Sequence, residues 1–266
     1  MRDFGDAVFE GTAGYYAKYR PSYPPELFSD IAAHFGLGGT GRLLDLGCGT
    51  GEMAIPLAGY FKDVLAIDPD RHMLNNGQSK AKSLKVSNIE WQKGSSKTLK
   101  GVRTPFRLVT MGQSFHWMDQ SSVLKELYRL LEPKSGIVIV GGEQTPQNSR
   151  ATKKDEIVKN LVSKYLGPKR RAGNNVYESS GINWEKDLFQ KPPFSGFKKN
   201  EYLVLERQNI DQIVGNLYSL SWAKKEHFGN QIFKFDSEIR ATLKQALGDK
   251  NIVQKYKFTS YFLTIK

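Results

Sequence analysis

A single cysteine, Cys48, excludes an internal disulfide, and the sequence holds no Cys/His cluster at metal-ligand spacing. No apolar run approaches the roughly 20 residues that span a bilayer. The opening residues, MRDFGD, lack the apolar stretch of a secretory leader. These absences lead to the expectation of a cytoplasmic protein with no metal and no membrane attachment. Acidic residues are also scarce: 27 stand against 39 lysines and arginines, for a formal net charge of +12. The excess is uneven, with twelve basic and six acidic residues between positions 143 and 200. Such a balance steers nucleic acid, an anionic surface or an acidic small substrate, or it is a solvated surface that keeps the chain soluble. The sharpest cluster, Lys169-Arg170-Arg171, lacks the interleaved aromatics of a single-strand-binding face, so nucleic acid is not expected.

Among the residues present, 43–51 carry the most information. Leu43, Leu44 and Leu46 read as a short buried strand. Gly47, Gly49 and Gly51 then turn the chain sharply and leave room for a ligand, and a helix follows from Glu52. Strand, glycine loop and helix make the nucleotide-binding half of a doubly wound α/β domain. A dinucleotide loop reads G-x-G-x-x-G, with a pyrophosphate on the helix N-terminus. Here the spacing is G-x-G-x-G, and Glu52 stands at the third dinucleotide position, where its carboxylate repels phosphate. A nucleoside without phosphates meets no such conflict. Asp68 ends the apolar run Val64-Leu65-Ala66-Ile67, where it could accept hydrogen bonds from both ribose hydroxyls or cap the helix after Pro69.

Residues 44–51 together with Ala66-Ile67-Asp68 resemble the first two signature motifs of class I S-adenosylmethionine-dependent methyltransferases. Residues 91–96 (WQKGSS), 109–117 (VTMGQSFHW) and 127–136 (LYRLLEPKSG) are similar to the later ones. Upstream, residues 16–24 (YAKYRPSYP) resemble the opening of the branch that includes trans-aconitate methyltransferase-like and other small-molecule enzymes. The resemblance covers roughly residues 10–145. It implies S-adenosylmethionine as cofactor, S-adenosylhomocysteine as product, and a cofactor site built from Tyr19, Arg20, Asp45, Gly47, Gly49, Gly51, Asp68, Pro69, Met73, Ser95, Ser96 and Gln113. Asp45 would orient the methionine amino group. Ser95 departs from the family's Asp, which accepts from the adenine amino group, although a serine hydroxyl can also accept.

The 266 residues suffice for one sizeable core and read as a single domain, expected as a monomer or weak homodimer. Residues 1–40 read as a helical flap. Strands near 42–46, 63–68, 88–92, 106–111 and 136–141 alternate with helices, which requires a parallel sheet with right-handed crossovers. Residues 197–205 and 256–265 alternate like strands, and by resemblance form a closing antiparallel pair. The expected fold is therefore α/β: a doubly wound, mostly parallel, seven-stranded, Rossmann-like sheet. Segments 143–200 and 206–250 form a helical lid over the substrate side.

Ligands of open α/β sheets bind outside the carboxyl ends of the strands, which places His116 and Trp117 beside the acceptor. His116 could serve as general base toward a hydroxyl or amine, or merely orient the loop. Trp117 could stack on a ligand or fill the core. Tyr16, Tyr19 and Tyr23 would share one helical face with Arg20 nearby, either as a flap in which Arg20 pairs with a methionine or substrate carboxylate, or as packing against the sheet. Tyr16, Tyr23, His116, Trp117, Ser219 and Trp222 are thus the candidate acceptor-binding residues. Lys191-Pro192-Pro193-Phe194 resembles the loop of nucleobase amino-methyltransferases, but a lysine at its first position cannot accept from an amino group, which argues against base methylation. The expected reaction is O-methylation of a small carboxylate or hydroxyl acceptor, itself potentially anionic. The alternatives are methylation of RNA or protein, and a fold that binds cofactor without catalysis.

Overall fold

Leu43, Leu44 and Leu46 are fully buried in a strand covered on both faces, the environment of a parallel sheet between helical layers. The computed structural model describes residues 8–103, 105–145, 152–169, 171–172, 175–176, 183–190, 194–248 and 251–265. In chain order the helices are α1 (Ala13–Tyr19), α2 (Pro25–Phe35), α3 (Ala54–Leu57), α4 (Arg71–Ser83), α5 (Gln120–Leu130), α6 (Lys153–Leu166), α7 (Ile210–Tyr218) and α8 (Ile232–Leu247). The strands of the main sheet are β1 (Arg42–Leu46), β2 (Asp63–Asp68), β3 (Ile89–Lys93), β4 (Phe106–Gly112), β5 (Leu131–Thr145), β6 (Phe194–Gln208) and β7 (Ile252–Ile265). Their spatial order is β3-β2-β1-β4-β5-β7-β6. Strands β1–β5 run parallel, whereas β7 is antiparallel to both β5 and β6. This is the expected seven-stranded α/β fold.

Alternation along the strands builds two cores. Leu43, Val64, Leu108 and Val138 point toward α2, whose Leu27, Ile31 and Phe35 cover them. Leu44, Leu65, Val109 and Ile137 point to the other face, where α5 presents Val123, Leu124 and Leu127. A third core joins α6, α7 and α8 through Leu161, Val214, Leu217, Phe235 and Ile239. Capping boxes start two of these helices, Thr152 with Asp155 on α6 and Asn209 with Gln212 on α7. No helix among the described residues is long and apolar enough to cross a membrane.

Three element boundaries differ from the sequence reading. β5 continues to Thr145 because β7 supplies a ladder from Gly136 onward, pairing Gly136 with Thr264 through to Thr145 with Lys255. β6 begins at Phe194 and ends at Gln208, so the segment expected as a 143–200 lid contributes to the sheet at both ends, and the 206–250 lid becomes helical only from Ile210. The N-terminal helix ends at Tyr19, because Arg20 is extended and Pro21 and Pro24 follow. Arg170 and the Lys191–Pro193 loop lie outside the described residues.

Candidate active site

The ends of β1, β2 and β4 meet the glycine loop at one sheet edge. Gly47 and Cys48 donate their backbone N–H groups to the Ile67 carbonyl at 2.8 and 3.0 Å, clamping the loop to β2. Gly49, in the left-handed region at φ 55°, donates to Asp68 Oδ2 at 2.8 Å. Gly51 has φ 88°, and a Cβ there would stand 2.7 Å from the Trp91 ring, so both backbone and packing demand glycine. At the exit of β4, Gln113 adopts φ 51° although it is not glycine. Its N–H is held by the Val140 carbonyl at 2.7 Å, and Ser114 Oγ donates to the Leu46 carbonyl at 2.7 Å. A left-handed residue of this kind costs about 1–3 kcal/mol and persists where its surroundings fix it, commonly at ligand sites.

A cavity opens over this edge. The glycine loop contributes Gly47 and Gly49, and β2 with the start of α4 contributes Asp68, Pro69 and Met73. Ser95 and Ser96 enter from the exit of β3, Gln113 and Trp117 from the exit of β4, and Tyr16 from α1. Ten of the residues singled out in the sequence are thus brought together. A second cavity adjoins it through Gln113, which lines both, and takes in Arg20 and Trp222. Arg20 lies 4.9 Å from the centre of the Tyr16 ring, so its guanidinium stands where the cavities meet.

The remaining candidates lie elsewhere. Tyr19 turns from the cofactor side onto α7, where it covers Gly215 and stacks on Tyr15. Tyr23, beyond the helix end, is buried with its ring against Phe28 and Phe258 and lines neither cavity, but its hydroxyl lies behind the wall at Gly112 and hydrogen-bonds the Gln113 side chain. Ser219 is fully buried with its hydroxyl donated to the Asn216 carbonyl at 2.6 Å, so it closes α7 and lines neither cavity. Asp45 is also fully buried outside the cavity wall: Oδ2 accepts from the Ala54 N–H at 3.0 Å and Oδ1 from Thr110 Oγ1 at 2.8 Å, which positions the helix after the loop. His116 lines neither cavity but lies against Trp117 with the rings tilted by 44°, 4.8 Å between ring centres. Asp68 does not cap α4; Asp70 does, accepting from the His72 N–H.

The site's electrostatics follow from burial among carboxylates. Burial lifts Asp45 to about 7, opposed by its bonds from Thr110 and Ala54, and lifts Asp68 to about 6, opposed by the N–H groups of Asp70 and Gly49. Burial likewise raises Tyr16 to about 12, against the attraction of Arg20. His116 is pushed down to about 4 by burial and then by the Arg20 charge, so it is neutral at pH 7.

The sequence reading missed several wall residues. Phe9 meets Tyr16 and Trp117 edge-on at 6.1 and 5.6 Å, and Asp70, Lys97 and Met118 also line the first cavity. Lys154, Gln208, Asn216 and Tyr256 line the second. Lys154 sits one residue before the capping-box Asp155, and no local pattern marks it as buried. A search for polar residues inside apolar helical stripes would have found only Asn216, between Val214 and Leu217.

Comparison with known proteins agrees with this architecture. Residues 43–134 match a family described as a methyltransferase domain. A putative methyltransferase of Dictyostelium discoideum is 24% identical over 98% of this chain and 95% of its own length. An uncharacterized methyltransferase of Schizosaccharomyces pombe is 29% identical over 47% of this chain, which spans 48% of that relative. The crystal structure of an S-adenosylmethionine-dependent methyltransferase from Thiobacillus denitrificans, in complex with S-adenosyl-L-homocysteine, superposes with a TM-score of 0.54 at 13% identity, covering 97% of this chain and 98% of that one. Residues 43–134 thus carry a methyltransferase-domain match, and the seven-stranded sheet around them has the class I methyltransferase fold.

Proposed function

We propose that the chain transfers the methyl group of S-adenosylmethionine to an oxygen of a small-molecule acceptor, leaving S-adenosylhomocysteine. The observation that carries this reading is the first cavity's wall, where Gly47 and Gly49 give open backbone and Asp68 stands at the tip of β2. Each Asp68 oxygen accepts one backbone N–H, from Gly49 and Asp70, and retains a second lone pair for a ribose diol. Asp70 Oδ2 is buried without a hydrogen-bond partner in the same wall, a ready acceptor for a ligand donor. Ser95 and Ser96 would meet the adenine, with Met73 and Pro69 against its faces. A wall holding Asp68 and Asp70, with Glu52 beside Gly49, outweighs its one lysine, Lys97, and so disfavours a pyrophosphate and suits a cationic sulfonium.

The cofactor, when bound, supplies an already activated methyl group. The chain's part is to hold the acceptor oxygen in line and to keep water away. Gln113, shared by both cavities, forms the passage between donor and acceptor, and Arg20 pairs with a carboxylate at their junction. A carboxylate acceptor needs no base. A hydroxyl acceptor would need one, and a histidine pushed down to about 4 is poorly matched to that task at neutral pH, which favours the carboxylate. The resemblance of Tyr16–Pro24 to the trans-aconitate methyltransferase-like branch supports a small-molecule acceptor in the same sense.

The test is S-adenosylhomocysteine release by the purified chain on a panel of small carboxylic acids and alcohols, with bulk RNA and a protein mixture in parallel. Turnover on small acids is expected. Release driven only by RNA or protein would overturn the proposal.

A further inference from the structure

Resting on that reading, we infer that the acceptor is an anion with an apolar body, held in the cavity between α6 and α7, and that Lys154 is the residue that selects its charge. The cavity touches three cations, Arg20, Lys154 and Lys159, and a single carboxylate, Asp155. That carboxylate is already engaged: Oδ2 accepts from the Thr152 N–H at 3.0 Å and from Thr152 Oγ1 at 2.7 Å, and Oδ1 faces Lys154 Nζ at 3.1 Å.

Lys154 is only 4% exposed. Burying an ammonium is costly unless it is fully paired. Its Nζ donates to Gln254 Oε1 and reaches Asp155, which accounts for two of three N–H donors. The third remains for the cavity. Across the cavity, Arg20 donates through Nη2 to the Ser219 carbonyl at 3.5 Å, while its buried Nε has no partner. Two cations with spare donors face a space whose one carboxylate is already engaged by its helix cap and by Lys154. The rest of the wall is mixed: Val158, Ile213, Leu217, Leu220 and Trp222 give it an apolar side, while Gln208 and Asn216 donate to the Tyr256 hydroxyl at 2.8 and 3.2 Å and so engage one another. This division matches a carboxylate or similar anion on a hydrocarbon or aromatic frame. Because Gln113 also lines the donor cavity, such a ligand lies next to the transferred methyl group.

The experiment uses the full chain and pairs 3-phenylpropanoate, phenylacetate, succinate and citrate with their neutral amides. Binding is read by calorimetry on protein loaded with S-adenosylhomocysteine, and turnover by its release. At least one carboxylate should bind about tenfold or more tightly than its amide. Lys154→Met should raise the KM of that carboxylate about tenfold with little change in kcat or in S-adenosylhomocysteine affinity, and Lys154→Arg should restore it. Lys159→Gln, on the exposed rim, should raise KM about threefold and covers the case in which Lys154→Met does not fold. Amides binding as well as acids, or no carboxylate binding to the loaded protein, would overturn the inference. So would a KM unmoved by both lysine substitutions. Failure of S-adenosylhomocysteine itself to bind would instead overturn the donor reading.

Discussion

Asp68 uses one lone pair of each carboxylate oxygen on a backbone N–H and presents the others to the cavity. Asp68→Asn keeps the shape but turns an amide donor toward one of those N–H groups. Hydrogen bonds to charged groups contribute about 1.5–3 kcal/mol, so the variant should bind S-adenosylmethionine roughly ten- to a hundredfold more weakly with its circular dichroism unchanged; unaltered affinity would remove Asp68 from the site. Asp45 acts on stability. Burial lifts it from 3.8 to about 7, so between those values the folded chain holds a proton that the unfolded chain has released. The stability linked to that proton is complete below pH 3.8 and is lost as pH rises through 7. His116 works in the opposite sense: its depressed value makes stability rise with pH between about 4 and 6.5. Asp45→Asn should therefore flatten the decline in Tm between pH 6.5 and 8 relative to the parent chain, the fading His116 contribution being common to both; an unchanged slope would contradict the assignment.

At the scale of elements, α1 packs on α7, most closely at Tyr19. Tyr19 lies over Gly215 of α7 where a Cβ would overlap its ring, while Tyr16, one turn earlier, faces the glycine loop. Gly215→Val should cost about 1–3 kcal/mol by overpacking, lowering Tm and weakening cofactor binding because Tyr16 moves with α1. A melt that falls with affinity intact would separate the two. The strand–helix alternation was legible in the sequence because buried parallel strands are short apolar runs, Leu43–Leu46 and Val64–Ile67 among them, closed by glycine or an acid. The glycine loop, Asp68 and Ser95 were legible as local patterns. The faces of Tyr19 and Tyr23 were not, because each is decided by a partner far along the chain, Gly215 for Tyr19 and Phe258 for Tyr23; Ser219 is instead taken up locally, closing α7 on the Asn216 carbonyl. Lys154 escaped notice for the same reason as the two tyrosines, its partner Gln254 being a hundred residues away.

For the molecule as a whole, the two cavities differ in charge. The donor side is walled by Asp68 and Asp70 against one lysine, Lys97, and the acceptor side by Arg20, Lys154 and Lys159 against one carboxylate, Asp155. Ionic strength should therefore act on them unequally. Raising salt from about 0.05 to 0.5 M should increase the KM of a carboxylate acceptor severalfold while leaving S-adenosylmethionine affinity nearly constant; parallel loss of both would place the net charge of +12 over the whole surface instead. The central claim is the donor, and calorimetric titration of S-adenosylmethionine into the purified chain tests it most directly, with NADH and ATP as competitors and Asp68→Ala as control. The account predicts one site per chain, no competition by either phosphate-bearing nucleotide, and loss of most affinity in Asp68→Ala. Displacement by NADH, or no binding to the intact protein, would contradict it.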